Sequence, residues 1–306
     1  MNQISGFAGH FAAQRAPRLV VGIATTGRAG ILKQTLAYMA GLKDQPDLLI
    51  ISAASVDDVT GVEVADLPFP AGILIEAKGL CRQRNRILKD VDQSDILLFL
   101  DDDFLIAEGY LAETRRLFAD HDDLVVATGQ VLVDGILGPG LSHADGVAVL
   151  ARSNAAAPEL SDTRNGYGCN MAIRVAPVVE NALWFDEALP AYSWLEDVDF
   201  SRQLAPIGRI VKAGTLQGVH LGTKTGRSRG TPLGYSQVAN PLYLARKGTL
   251  ARSSACIQIL RNCLANIVKS FRPEPWVDRS GRRRGNWLAL RDALRNRADP
   301  SRAADL

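Results

Sequence analysis

Cysteine is scarce, and its spacing excludes the common cysteine frameworks. Cys81, Cys169, Cys256 and Cys263 form no C-x-x-C pair, and the four histidines complete no zinc pattern beside them. They read as reduced thiols in a reducing compartment. Long apolar runs are missing too. No stretch approaches the ~20 apolar residues that cross a bilayer. The strongest run, Ile96–Leu100, has strand length. Met1–Arg18 lacks a continuous apolar core, so residues 1–17 read as a loose leader and not as a signal peptide. Aromatics make up 6% of the chain, and no basic platform with interleaved aromatics appears. A nucleic-acid partner is therefore not expected. The reading is a cytoplasmic protein, soluble or peripheral on the inner face of the cytoplasmic membrane.

What is present is an ordinary globular composition, 47% hydrophobic and 22% charged over 306 residues. A chain of that size buries a sizeable core without disulfides or a structural metal. The net charge of +2 hides an asymmetry. Residues 241–306 carry 14 Lys/Arg against 5 Asp/Glu, a net of +9, so the first 240 residues carry −7. A basic tail on an acidic body suggests a polyanionic or membrane partner for the tail.

Hydrophobic patterning gives the fold class. LVVGIA (19–24), DLLIIS (47–52), GILIE (72–76) and ILLFL (96–100) are continuous apolar runs, as in buried parallel strands. Helical spacing fills the intervals at 31–42 and 79–90. This alternation predicts right-handed crossovers and a mainly parallel sheet in an α/β fold. Further on, 110–120 reads as a helix and 124–133 as a strand. Residues 135–146 are glycine-rich, and 151–168 look irregular. A helix begins near Glu196, one or two strands run from Arg209 to His220, and 223–234 reads as a mobile basic loop. Helices are expected at 253–270 and 287–297. The divisions are a leader over 1–17, a catalytic domain over 18–240, and a basic helical extension over 241–306.

Two acidic clusters carry the chemistry. Asp101-Asp102-Asp103 follows the most apolar strand directly, where open α/β sheets place ligands. A lone acidic triplet is also a solvated turn. Behind ILLFL, a divalent cation with a diphosphate is the better match, because hard cations prefer oxygen ligands. Glu196 and Asp197 open the later helix, where the dipole already favours carboxylates. Paired with the first cluster, they offer a general base. His220 can be a third metal ligand as neutral imidazole. Lys224 and Arg227, set among glycines, suit a lid over a diphosphate.

In order along the chain stand TTGR (25–28), GLCRQRN (79–85), LFLDDDF (98–104), NGYGCNMAIR (165–174), WLEDVDF (194–200) and GVH (218–220) before a basic loop. This series resembles the family-2 glycosyltransferases, which have the GT-A fold. The resemblance covers roughly residues 18–235. It implies inverting transfer of a sugar from a nucleotide-diphosphate sugar, with Mn²⁺ or Mg²⁺ as cofactor. Asp103 would bind the metal, and Asp101 the ribose or the metal. Asp197 would be the general base, with Glu196 and Trp194 on the acceptor. Thr25, Arg28, Arg84, Asn85, Asn170, Lys224 and Arg227 would bind the donor. A UDP-sugar is favoured. The weaker resemblance of the C-terminal stretch to bacterial polysaccharide-assembly transferases implies a saccharide or polyprenyl-diphosphate-linked acceptor.

Two departures matter. Ser52 stands where the family has an acid that grips the base, and Asp57 or Asp58 would have to substitute. Q-x-x-R-W and membrane helices are absent, which favours one sugar per acceptor over a polymer. A non-catalytic nucleotide-sugar-binding or scaffold protein is the competing reading, and a metal-dependent phosphohydrolase a weaker one. The C-terminal helix, with Ile257, Leu260, Leu264, Ile267 and Val268 beside Arg261 and Lys269, reads either as packed on the catalytic domain or as an element on an anionic membrane surface.

Overall fold

The computed structural model describes residues 17–153, 159–190, 192–224 and 230–306. The leader expected over 1–17 lies almost wholly outside the described residues, as does Arg227. The strands are β1 (Leu19–Thr25), β2 (Leu48–Ala53), β3 (Ala71–Ile75), β4 (Ile96–Asp101), β5 (Phe104–Ile106), β6 (Leu124–Asp134), β7 (Leu160–Asp162), β8 (Asn170–Arg174) and β9 (Arg209–His220). The helices are α1 (Ala29–Ala40), α2 (Leu80–Leu88), α3 (Tyr110–Asp120), α4 (His143–Arg152), α5 (Val175–Glu180), α6 (Glu196–Leu204), α7 (Gly230–Lys247), α8 (Arg252–Lys269) and α9 (Arg279–Leu294).

Among the described residues the strands form one sheet in the order β3-β2-β1-β4-β8-β6-β9-β5, with β7 on β9. The first four run parallel, and β8 enters antiparallel between β4 and β6. Strand order reverses between β1 and β4. Ligands bind at such a switch point, beyond the carboxyl ends of the strands. The apolar runs of β1, β2 and β4 are buried on both faces, as expected of strands between helical layers. One core lies under α1 and α3, and a second under α2 and α6. In the second, Phe185 stacks on Phe200 with centroids 4.0 Å apart, and Phe99 meets Phe185 edge-on at 5.4 Å.

Several local expectations change. Residues 143–152 form α4, although 135–146 read as glycine-rich loop. Gly146 is there for closeness: a Cβ on it would lie 2.5 Å from Leu221 Cδ2 and 3.0 Å from Leu105 Cδ1. The basic loop is shorter than expected, because α7 begins at Gly230. The final helix begins at Arg279, eight residues before the expected start, with Asp278 accepting from the Gly281 amide as its cap. The boundary expected at 240/241 falls inside α7.

The C-terminal helices pack through glycine. A Cβ on Gly234 would lie 2.1 Å from the Arg282 carbonyl oxygen, and one on Gly285 would lie 2.1 Å from that of Thr231. The backbones of α7 and α9 therefore touch, with no room for a side chain between them. A buried amide network adds α8: Asn266 Nδ2 donates to Gln237 and Asn286 at 2.8 Å each, and Asn286 Nδ2 donates to the Gly234 carbonyl at 2.7 Å. Gly285→Val should therefore destabilise the protein by about 1–3 kcal/mol or more through overpacking. Urea denaturation with paired hydrogen exchange on α7 and α9 checks this; an unchanged midpoint contradicts the contact.

Candidate functional site

The sheet register builds the first half of the site. β9 pairs with β5 and β6 so that His220 lies opposite both Phe104 and Asp134. Phe104 follows the acidic triplet, so His220 is brought to Asp103 by backbone pairing. Its Nδ1 meets Asp134 Oδ1 at 2.9 Å, and its Nε2 lies 3.4 Å from Asp103 Oδ1 and 3.8 Å from Asp101 Oδ2. Asp134 thus orients the ring and leaves Nε2 facing two carboxylates, the outer-shell arrangement common at metal-binding histidines. Donor atoms of Asp101, Asp103 and His220 lie within 4.8 Å of one another.

The three residues fit a divalent cation. Asp103 is buried, and its Oδ1 has no hydrogen-bond partner; its Oδ2 accepts from the Thr223 amide at 2.7 Å. A buried carboxylate oxygen without a hydrogen bond, pointing at an imidazole nitrogen and a second carboxylate, is a donor set that a divalent cation would satisfy. A proton on His220 does part of that work: burial disfavours the imidazolium, but the adjacent Asp103 and Asp134 carboxylates outweigh it and raise the pKa to about 10. Asp103 is held well below the usual carboxylate range despite burial, by His220 and Arg28.

Asp102 turns the other way. It is fully buried and accepts from Thr25 Oγ1 at 2.6 Å, while Arg28 sits 2.9 Å from its Oδ1. Burial and the neighbouring acids raise its pKa to about 7. The triplet therefore divides: Asp101 and Asp103 face the site, and Asp102 anchors the turn to β1.

Arg84 joins this half to the second acidic pair. Its guanidinium donates to Glu196 Oε1 and to the Gly168 carbonyl, both at 2.7 Å, and lies 3.5 Å from Asp101 Oδ1. It also lies 5.4 Å from the Phe99 and Phe185 ring centroids. Burial opposes its charge, but Glu196, Asp101 and Asp197 outweigh that and keep it protonated. Asp197 is half-buried. Its Oδ2 accepts from the Gly168 amide at 3.0 Å and its Oδ1 from the Val198 amide at 2.8 Å. Burial raises its pKa, against those two amides and Arg84.

Several residues expected to touch donor or acceptor are engaged by groups of the protein. Thr25 braces Asp102. Arg84 is buried among its carboxylates. Asn85 holds the Phe185 backbone on both sides, at 2.9 Å each way. Asn170 is buried between β8 and β6, where its Oδ1 accepts from Thr128 and Gly129. Glu196 is buried on Arg84. Lys224 Nζ donates to the carbonyls of Gly135 and Ile136 at 3.1 Å. Ser52, in place of an acid, is buried. Asp58 instead reaches the β1 loop, accepting from the Gly27 amide at 2.5 Å. Asp134 joins the site through the pairing of β6 with β9, and Gly168 and Thr223 through backbone amides just outside β8 and β9, which sequence spacing does not show.

A cavity of about 800 Å³ opens beside this site, between the sheet and the C-terminal helices. Tyr192, Trp194, Lys224, Gln237, Trp276 and Arg279 are among the residues lining it. Trp194, in the segment that leads into α6, and Lys224, after β9, link the cavity to the site.

Solved structures share this architecture. Mannosyltransferase PcManGT from Pyrobaculum calidifontis, in complex with GDP-Man and Mn²⁺, matches with a TM-score of 0.51 at 17% identity, over 95% of this chain and 85% of that one. GalNAc-T7 with UDP, GalNAc and Mn²⁺ matches at 0.54 and 12% identity, over 95% and 56%. S. aureus TarS matches at 0.51 and 14% identity, over 83% of this chain but only 44% of that one. The chain has the GT-A fold. No protein-family model and no curated protein matches the sequence. The expected mixed α/β sheet of this fold is therefore present, and the likeness at these identities is one of fold.

The buried Glu196 makes the site pH-sensitive. Burial and Asp197 raise its pKa to about 8 against Arg84. Above the ordinary carboxylate range the native state keeps a proton that the unfolded chain has lost, so stability falls as pH rises from there to about 8. Glu196→Gln removes this dependence. Between about pH 5 and about pH 9 it should gain roughly 1–4 kcal/mol relative to wild type. Urea titrations at both pH values test this; parallel losses in the two proteins contradict it.

Proposed function

We propose that the chain is an inverting, non-processive glycosyltransferase. It moves one sugar from a nucleotide-diphosphate sugar, a UDP-sugar first, to a hydroxyl of a saccharide acceptor. The observation that carries the reading is the joining of the two acidic clusters through Arg84 at the switch point of a GT-A sheet. The structural neighbours with bound nucleotides and Mn²⁺ support it.

Asp101, Asp103 and His220 would hold Mn²⁺ or Mg²⁺, which neutralises charge on the departing diphosphate when bound. The chain's own residues do the rest. Asp103 and the Thr223 amide fix the end of β9 beside the diphosphate position, and Lys224 adds positive charge there. Arg28, ion-paired to Asp102 and Asp103, frames the other side. Asp197 takes the proton from the acceptor hydroxyl as its oxygen bonds to C1 and the C1–diphosphate bond breaks. Two backbone amides hold that carboxylate in place, and burial raises its pKa toward working pH, which improves a base. Attack opposite the leaving group inverts C1.

The cavity lined by Trp194 and Lys224 is the proposed acceptor site. Tyr192, Trp194 and Trp276 offer flat faces for sugar rings, and polar groups between them fix orientation. A lipid-diphosphate-linked saccharide of bacterial polysaccharide assembly is the acceptor we favour. A protein that only binds nucleotide sugars would have no need of an amide-held carboxylate beside such a cavity.

Asp197→Asn should lower kcat by about 10²–10⁴-fold with nucleotide affinity nearly unchanged; near-normal turnover rejects the base assignment. Asp103→Ala should abolish the Mn²⁺-dependent part of nucleotide binding in calorimetry. Binding that ignores Mn²⁺ in wild type contradicts the metal group.

A further inference from the structure

The apolar stripe of α8 faces outward. Ile257, Leu260, Leu264, Ile267, Val268 and Phe271 recur at three- and four-residue spacing and are all exposed, Phe271 to 79%. The buried residues of the same helix are Ala255 and Asn266. This inverts the ordinary pattern, in which the apolar stripe meets the core. On α9, Trp287, Leu290 and Leu294 are exposed at the same spacing. A groove of about 510 Å³ lined by Cys263, Ile267, Trp287 and Leu290 joins the two helices. A contiguous exposed apolar patch marks a contact surface.

Charge identifies what covers it. α8 contains no Asp or Glu. The one acid of α9, Asp292, is buried against the Tyr235 hydroxyl and Arg302. Arg261, Arg272, Arg283, Arg284 and Arg295 stand exposed around the stripe, and Lys269 beside them pairs with Glu274 at 2.8 Å. Two copies of this face would set arginine rims against each other, which like-charge repulsion opposes. An anionic surface neutralises the rim, and aromatic and aliphatic side chains beside arginines suit the headgroup boundary.

We propose that the outer face of α8 and α9 docks on an anionic lipid bilayer, with the stripe in the headgroup region and the arginines on lipid phosphates. No described helix is long and apolar enough to cross a membrane, so the contact lies in the interface plane. Lys269, at the end of α8, and Trp276, in the α8–α9 connection, also line the 800 Å³ cavity. An acceptor tethered in the same bilayer therefore meets the cavity from the docked side. That last point rests on the proposed function; the docking does not.

Sedimentation of the full chain with vesicles tests this. Phosphatidylcholine vesicles, with and without phosphatidylglycerol, are compared at about 0.1 M and about 1 M salt, where screening falls from ~10 to ~3 Å. Binding should require the anionic lipid and weaken at least about tenfold at high salt. Leu260→Ser/Leu264→Ser/Phe271→Ser should weaken it by about tenfold or more with the melting temperature held, since all three are exposed. Arg283→Glu/Arg284→Glu should do the same. Equal binding to both vesicles, no binding, or wild-type binding by the serine variant overturns the proposal. So does a wild-type dimer in light scattering that the serine variant dissolves and vesicles do not displace; the occupant is then a second copy. Nucleotide binding by calorimetry is read separately. Lost vesicle binding with intact nucleotide binding rejects docking alone, and the converse rejects the enzymatic reading alone.

Discussion

Arg84 carries a buried positive charge from α2 into a group of carboxylates contributed by two other parts of the chain. Glu196 and Asp101 lie on either side of its guanidinium, and the Gly168 carbonyl takes a third contact. Without that cation, the acids at the end of β4 and the start of α6 would face one another across a dry interior, at a cost of several kcal/mol. With it, they share one site. Gly168 then extends the arrangement, because its amide holds Asp197 while its carbonyl holds Arg84. Gly168 therefore ties the Asp197 carboxylate to the guanidinium that joins the clusters.

His220 has the corresponding role on the other side. It is fixed by backbone pairing to β5 and β6, and Asp134 fixes its ring. Asp103 is thereby left with one oxygen held by Thr223 and one without a partner. The site combines rigid positioning with unsatisfied buried atoms, Asp103 Oδ1 and Asn170 Nδ2 among them, as expected of a place whose polar balance a ligand would complete.

The parallel strands were legible because their apolar runs are continuous and separated by helical spacing. The acidic clusters were legible because strand ends and helix starts place such residues at an α/β switch point. Asp101, Asp103, Asp197 and His220 do converge. The partners of Arg84, Asn85 and Asn170 were not legible. Each is a polar residue in a motif near a ligand site, and the sequence does not separate a residue that touches ligand from one that braces the residue that does. Only burial separates them, and burial follows from the packing of Phe99, Phe185 and Phe200. Glycine misled in a similar way. Gly146 and Gly234 suggested loops, yet both lie in helices where another chain segment comes too close for a side chain. The outward stripe of α8 was visible as helical periodicity, but its direction depends on the small and amide residues that turn inward.

The C-terminal helices give the basic tail a structural role that charge alone did not supply. Glycine contacts fix α9 to α7, α8 lies across both, and their connection walls the cavity that Trp194 and Lys224 also line. The tail and the acidic body therefore meet at one place. The most direct test of the account is product analysis by nuclear magnetic resonance, with purified protein, Mn²⁺, a nucleotide sugar and a saccharide acceptor. The account predicts nucleoside diphosphate released in step with a new glycosidic bond of anomeric configuration opposite to that of the donor. Retained configuration, or release of inorganic phosphate in place of nucleoside diphosphate, would contradict it.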